Sequence, residues 1–186
     1  MHRNEAMNII AHTTMLTMPT EARLDAINNW WTIHPTDPGY KELNEALRTE
    51  VESASEPQFD PTNTRYNDLI ELGIKYSLVG TTNSYLELTL ERLGVSVGTV
   101  EGEVEPLEEC PCCAHRTLTR RGQYDICPVC FWEDDGTASD DAFSSPNRMQ
   151  LGEAKFNFAH LGAISESAKS KVLPDGPSRY PRARTK

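Results

Sequence analysis

The sequence predicts an α+β chain: a mostly helical N-terminal domain followed by a small zinc-ribbon-like β-hairpin module. Two patterns carry that reading. Apolar residues recur at helical spacing through the first hundred positions. Two C-x2-C pairs then bracket a stretch of strand-forming residues within the 186-residue chain. The division is 1–100 helical domain, 101–109 acidic linker, 110–175 cysteine module and 176–186 basic tail.

Residues 4–16 hold Ala6, Met7, Ile9, Ile10 and Leu16 in a loose amphipathic pattern. Pro19 or Thr20 opens a second helix, because proline's missing N–H costs nothing in the first turn. Leu24, Ile27, Trp30 and Trp31 line its buried stripe, and His34-Pro35 ends it, since a residue before proline avoids helical backbone. Thr36 and Asp37 are caps for a third helix through Leu43, Ala46, Leu47 and Val51. A fourth spans 60–79, capped by Asp60 or Thr62 and stopped by Gly80. Thr82 or Ser84 caps a fifth with Leu86, Leu88, Leu90 and Leu93, although alternation at 85–90 also fits a strand. Val95, Val97 and Val100 suggest a short strand. His12 and His34 stand apart from any catalytic cluster. Trp30-Trp31 reads as core before it reads as a base-stacking platform.

The chemistry-bearing segment is Cys110-Pro111-Cys112-Cys113-Ala114-His115, followed by Cys127-Pro128-Val129-Cys130, with thirteen residues between Cys113 and Cys127. Cys110, Cys113, Cys127 and Cys130 form the tetrathiolate pattern of two knuckles joined by a hairpin. Pro111 and Pro128 pre-set each turn. Leu118, Gln123-Tyr124 and Ile126 supply strand residues around an Arg121-Gly122 turn. Four thiolates fill a tetrahedral shell, so the expected Zn2+ is structural, with no position for a reacting water. Cys112 is the spare thiol and His115 an alternative ligand. A redox site would need one pair on a βαβ unit. Phe131 and Trp132 are expected to pack over the metal. The acids after them lack the spacing of a calcium loop.

The formal net charge is -10, with 38% hydrophobic residues. Residues 49–109 alone carry -10, residues 110–141 carry -3 and residues 142–186 carry +5. An acidic chain is poorly suited to phosphate backbones and better suited to a basic protein. The candidate docking residues are Glu133, Asp134, Asp135, Asp140 and Asp141, with Glu101–Glu109 beside them. No apolar run reaches a membrane span, and no secretory signal is visible. Clustered cysteines point to a reducing, cytoplasmic compartment. The sequence holds no phosphate-binding loop, nucleophile elbow or dinucleotide fingerprint. Glu87/Glu91 has the spacing of surface carboxylates on a helix. The expectation is therefore no enzyme and no small-molecule substrate.

The run CPCC at Cys110–Cys113, YDICPVCFWEDDG at Tyr124–Gly136, Pro146-Asn147, Leu151–Phe158 and Leu161–Ala163 resembles the cysteine-rich CPCC family of small bacterial zinc-binding domains. The resemblance covers about 110–175. It implies a C-terminal helix and, through family context, an immunity protein that neutralises a toxin, with a nuclease as the expected kind. Ala114 departs from the family's usual glycine. The alternative is a zinc-ribbon accessory module binding nucleic acid through Arg116, Arg120, Arg121 and the tail Arg179–Lys186.

Overall fold

The computed structural model describes residues 1–96 and 98–183. Val97 of the expected short strand and residues 184–186 of the basic tail lie outside them. The chain forms two compact units: Met1–Val79 with Leu86–Glu103, and Gly80–Tyr85 with the chain from Val104 onward.

The first unit is helical. Helices α1 (Arg3–Thr17) and α2 (Thr20–Trp30) both pack on α4 (Asn67–Ser77). The core gathers Met15, Ile27, Trp31, Leu47, Tyr66, Leu69 and Ile70. Trp31 is buried and donates its indole N–H to the Ala54 carbonyl at 3.2 Å, which bears out the packing role over the stacking one. Trp30 lies against α4, where Gly73 gives it room. A Cβ on Gly73 would stand 2.6 Å from Trp30 Nε1, closer than atoms pack.

Helix α3 (Glu45–Ser53) starts later than expected. Asn44 is its cap, accepting from the Leu47 N–H at 2.9 Å. Asp37 is spent instead on the His34 N–H, 2.7 Å away, which holds the Pro35 turn. Helix α4 also starts late. Asp60 accepts from the Thr62 N–H in a local turn, and a single 3-10 turn over Thr64–Tyr66 precedes the helix.

Helix α5 (Asn83–Arg92) resolves the strand–helix ambiguity at 85–90. Leu86 and Leu90 are buried while Leu88 is exposed, a four-residue repeat. The described part of 95–100 contains no strand. Val100 donates to the Glu87 carboxylate at 2.7 Å, and Glu101 pairs with His2 in an isolated bridge.

The second unit holds two short antiparallel pairs, β1 (Glu108–Glu109) with β2 (Arg116–Leu118) and β3 (Phe143–Ser144) with β4 (Met149–Gln150). Helix α6 (Leu151–Leu161) follows β4 and stops at Gly162, whose φ of 76° makes the left-handed cap. A four-residue helix α7 (Gly176–Arg179) precedes the last described residues. Among the described residues, no helix is long and apolar enough to cross a membrane.

The hairpin differs from the expected one. β2 pairs with β1, inside the segment read as a linker, and not with residues 123–126. Two backbone choices explain this. Cys110 N–H bonds His115 C=O at 2.9 Å, closing the first knuckle as a hairpin of its own. Beyond β2, the Thr119 N–H bonds the Asp125 carboxylate at 2.8 Å, and the chain bends away.

Candidate metal centre

Each knuckle is an identical backbone device. Ala114 N–H bonds Cys110 C=O at 2.9 Å, and Phe131 N–H bonds Cys127 C=O at 2.8 Å. The residue after each second cysteine has positive φ, 62° at Ala114 and 69° at Phe131. This turn brings the two sulfurs of each pair to one side.

The four ligand sulfurs, Cys110, Cys113, Cys127 and Cys130, are buried and lie within 4.8 Å of one another. Cys110 and Cys130 Sγ are 3.6 Å apart, as are Cys113 and Cys127 Sγ. Tetrahedral thiolates at about 2.3 Å from a zinc ion would stand about 3.8 Å apart. The donor set therefore fits a closed, four-sulfur metal site, and all five cysteines are free of disulfides. Cys112 is buried but stands outside the four-sulfur group.

Hydrogen bonds from Cys110, Cys113 and Cys130 pull the Cys127 thiol far down, helped by the Thr117 hydroxyl, which donates to its sulfur at 3.1 Å. Hydrogen bonding to Cys110 and Cys127 pushes Cys113 up, and burial pushes Cys130 up. A cysteine binds metal as its thiolate, so metal uptake releases whatever protons these thiols hold. Thr117 is a supporting residue that no sequence spacing marked.

His115 is buried outside the four-sulfur group. Burial lowers its pKa and favours the neutral ring. Trp132 is wholly buried in the core that contains the cysteines, and Phe131 packs partly buried against it, as expected. Leu118, Leu151, Ala154 and Ala163 complete that core. The second knuckle is tied to the chain after α6. Ile164 N–H bonds Cys130 C=O and Leu173 N–H bonds Pro128 C=O, both at 2.9 Å.

The acidic residues do not form one surface. Asp134, expected on the docking loop, is fully buried. Its Oδ2 accepts from Arg121 Nε at 2.9 Å and from the Gly122 N–H at 2.6 Å. Its own backbone pairs with Tyr124 and Asp125. Asp134 is therefore the hub around which 121–125 wraps, and it is unavailable to a partner. Asp135 is half-buried and accepts from the Ser144 hydroxyl and the Thr137 N–H. Burial alone would raise its pKa, but hydrogen bonds from the Thr137 and Ser144 side chains and the Thr137 N–H outweigh it and lower it. Glu133 is half-buried, while Asp140 and Asp141 are exposed. Asp140 pairs with Lys155 at 2.6 Å. Of the expected nucleic-acid contacts, Arg121 is committed to Asp134, and Arg116 donates to the Leu107 carbonyl at 3.1 Å.

The fold and site together define a small cysteine-rich domain built around a possible structural metal ion. Residues 108–178 match the family model described as Cysteine-rich CPCC, which covers that domain. No curated protein and no solved structure matches the chain.

Proposed function

We propose that the chain is a non-enzymatic binding protein whose CPCC-type module is stapled by Zn2+. Its partner on this reading is a basic protein, and the family resemblance points to a bacterial toxin whose active-site cleft it occludes. The observation that carries the reading is the closed set of four buried thiols. Four sulfurs satisfy a zinc ion and leave no site for water or substrate, so the metal's work is to hold shape.

The net charge of -10 supports a cationic partner. A nuclease cleft is cationic because it holds phosphates. Occlusion needs only a complementary interface of about 1,600 Å² with a few anchors.

The test is co-expression with toxins encoded beside this chain. Growth rescue and a co-purifying complex, with association slowed by added salt, are the expected results. Failure to bind or neutralise any of them, by chain shown to be zinc-loaded, would remove the toxin reading.

A further inference from the structure

A groove beside the second knuckle has the makings of a side-chain anchor site. It has a volume of about 130 Å³; Ile126, Phe131, Met149, Ile164 and Ala168 form apolar walls, and polar side chains, Glu133 and Lys171 among them, complete the lining. An apolar space of about 150 Å³ accommodates a benzene-sized group, so this one takes a single aliphatic side chain. Ile126 lines the groove and is 50% exposed.

The charge at the mouth names the chemistry. Ile126 and Glu133 face each other in an antiparallel bridge, which places their side chains next to one another on one face. The Glu133 backbone is held on both sides by Asn147, at 2.9 Å and 2.7 Å. Its carboxylate, in contrast, makes no hydrogen bond or ion pair among the described residues. Lys171 lines the same groove without an ion pair to Glu133, its ammonium over the Phe131 ring 4.9 Å from the centroid. Phe131 takes its place in the wall from the left-handed turn, φ 69°, a conformation that bulky residues adopt only under constraint.

We infer that this groove anchors an aliphatic side chain of a protein partner, with a neighbouring lysine or arginine of that partner paired to Glu133. The inference deepens the proposed function and rests on its reading of a cationic protein partner. It narrows the expected acidic loop, whose Asp134 is buried, to Glu133 and the apolar walls beside it. Such pockets concentrate binding energy, while charged rims set rate and partner choice.

The experiment is methyl NMR on the full-length, metal-loaded chain with two capped dipeptides, N-acetyl-Leu-Lys-amide and N-acetyl-Leu-Glu-amide. Ile126, Met149, Ile164 and Ala168 each put a reporter methyl in the groove. The lysine probe should shift these signals with a dissociation constant of about 1 mM, the range for a ligand this small. The glutamate probe should bind about fivefold more weakly. Glu133→Gln should erase that difference. Ser167→Trp, a change at an exposed rim position, should fill the groove and abolish the shifts. Ile126→Asn, also at an exposed site, should do so independently.

Unmoved methyl signals, equal binding of both probes, or shifts that survive both blocking variants would overturn the inference. These outcomes are separate from the toxin test. Probe binding without toxin neutralisation would discard the toxin and keep the groove, and neutralisation without probe binding would do the reverse.

Discussion

Ala114→Gly is expected to tighten metal binding, although it removes a side chain next to a ligand. Ala114 has φ 62°. An L-residue pays about 1.5 kcal/mol for that conformation, and glycine pays almost nothing. Glycine's greater freedom in the unfolded chain returns about 0.7 kcal/mol. Losing a half-buried methyl costs about 0.3 kcal/mol more. The remainder, about 0.5 kcal/mol, corresponds to roughly twofold in affinity, because folding and metal binding are coupled in such modules. The partner experiment is Phe131→Gly, which relieves the same backbone strain at φ 69°. It also removes a ring that packs on the core and carries Lys171, a loss of about 1.8 kcal/mol. Its net effect is about 1 kcal/mol unfavourable, about fivefold weaker binding. Competition against a chromophoric zinc chelator measures both. Weaker binding by Ala114→Gly, or both variants moving in the same direction, would refute the strain argument.

Three other outcomes follow from the same geometry. Cys110→Ser, Cys113→Ser, Cys127→Ser and Cys130→Ser should each lose bound metal on gel filtration, whereas Cys112→Ser should retain it; plasma mass spectrometry gives the content per chain. Asp134→Ala should destabilise the second unit by about 2 kcal/mol in denaturant titration, because it leaves Arg121 Nε and the Gly122 N–H without their acceptor. In the first unit, burial opposes the Glu50 charge, but bonds from Arg65, Tyr66 and Gln58 outweigh it and hold its pKa below the ordinary 4.5. Its contribution is therefore complete above about pH 4.5 and lost as pH falls through the lower folded value. Glu50→Gln should cost about 2 kcal/mol near neutrality and progressively less in acid.

Legibility followed the range of the interactions. Helices α1 and α2 could be placed because their apolar spacing is local, as could the cysteines, whose knuckles close within five residues; α5 was left open to a strand because its leucines also alternate at period two. The starts of α3 and α4 were misplaced because several nearby residues were able to cap. Asn44 took α3, while Asp37 and Asp60 were committed to turns. The pairing of β1 with β2 was not legible, since a two-residue strand of Glu108 and Glu109 has no period and looks like linker. Thr117's bond to Cys127 spans ten positions and leaves no trace in spacing.

The run Tyr124–Gly136 illustrates how charge in a motif can mislead. Phe131-Trp132-Glu133-Asp134-Asp135-Gly136 reads as aromatic cover followed by an acidic loop for a partner. Each of its three acids has a different task. Asp134 is buried and fixes Arg121 and Gly122 through its Oδ2, so it serves the fold. Asp135 ties the loop to Ser144 in β3. Glu133 alone keeps an unpaired carboxylate, and it does so beside Ile126, on the opposite face of the strand from Asp134. Alternation turns Asp134 inward and leaves Glu133 on the other face, while Asp135, on Glu133's side, is taken up by Ser144 and Thr137. Charge reversal of all three acids would conflate folding with recognition, because Asp134 alone would unfold the loop. Only Glu133→Lys isolates recognition. It should slow association with a cationic partner while leaving metal content and denaturation midpoint near those of the parent chain. Loss of metal in that variant would place Glu133 among the structural acids and leave the loop without a recognition face.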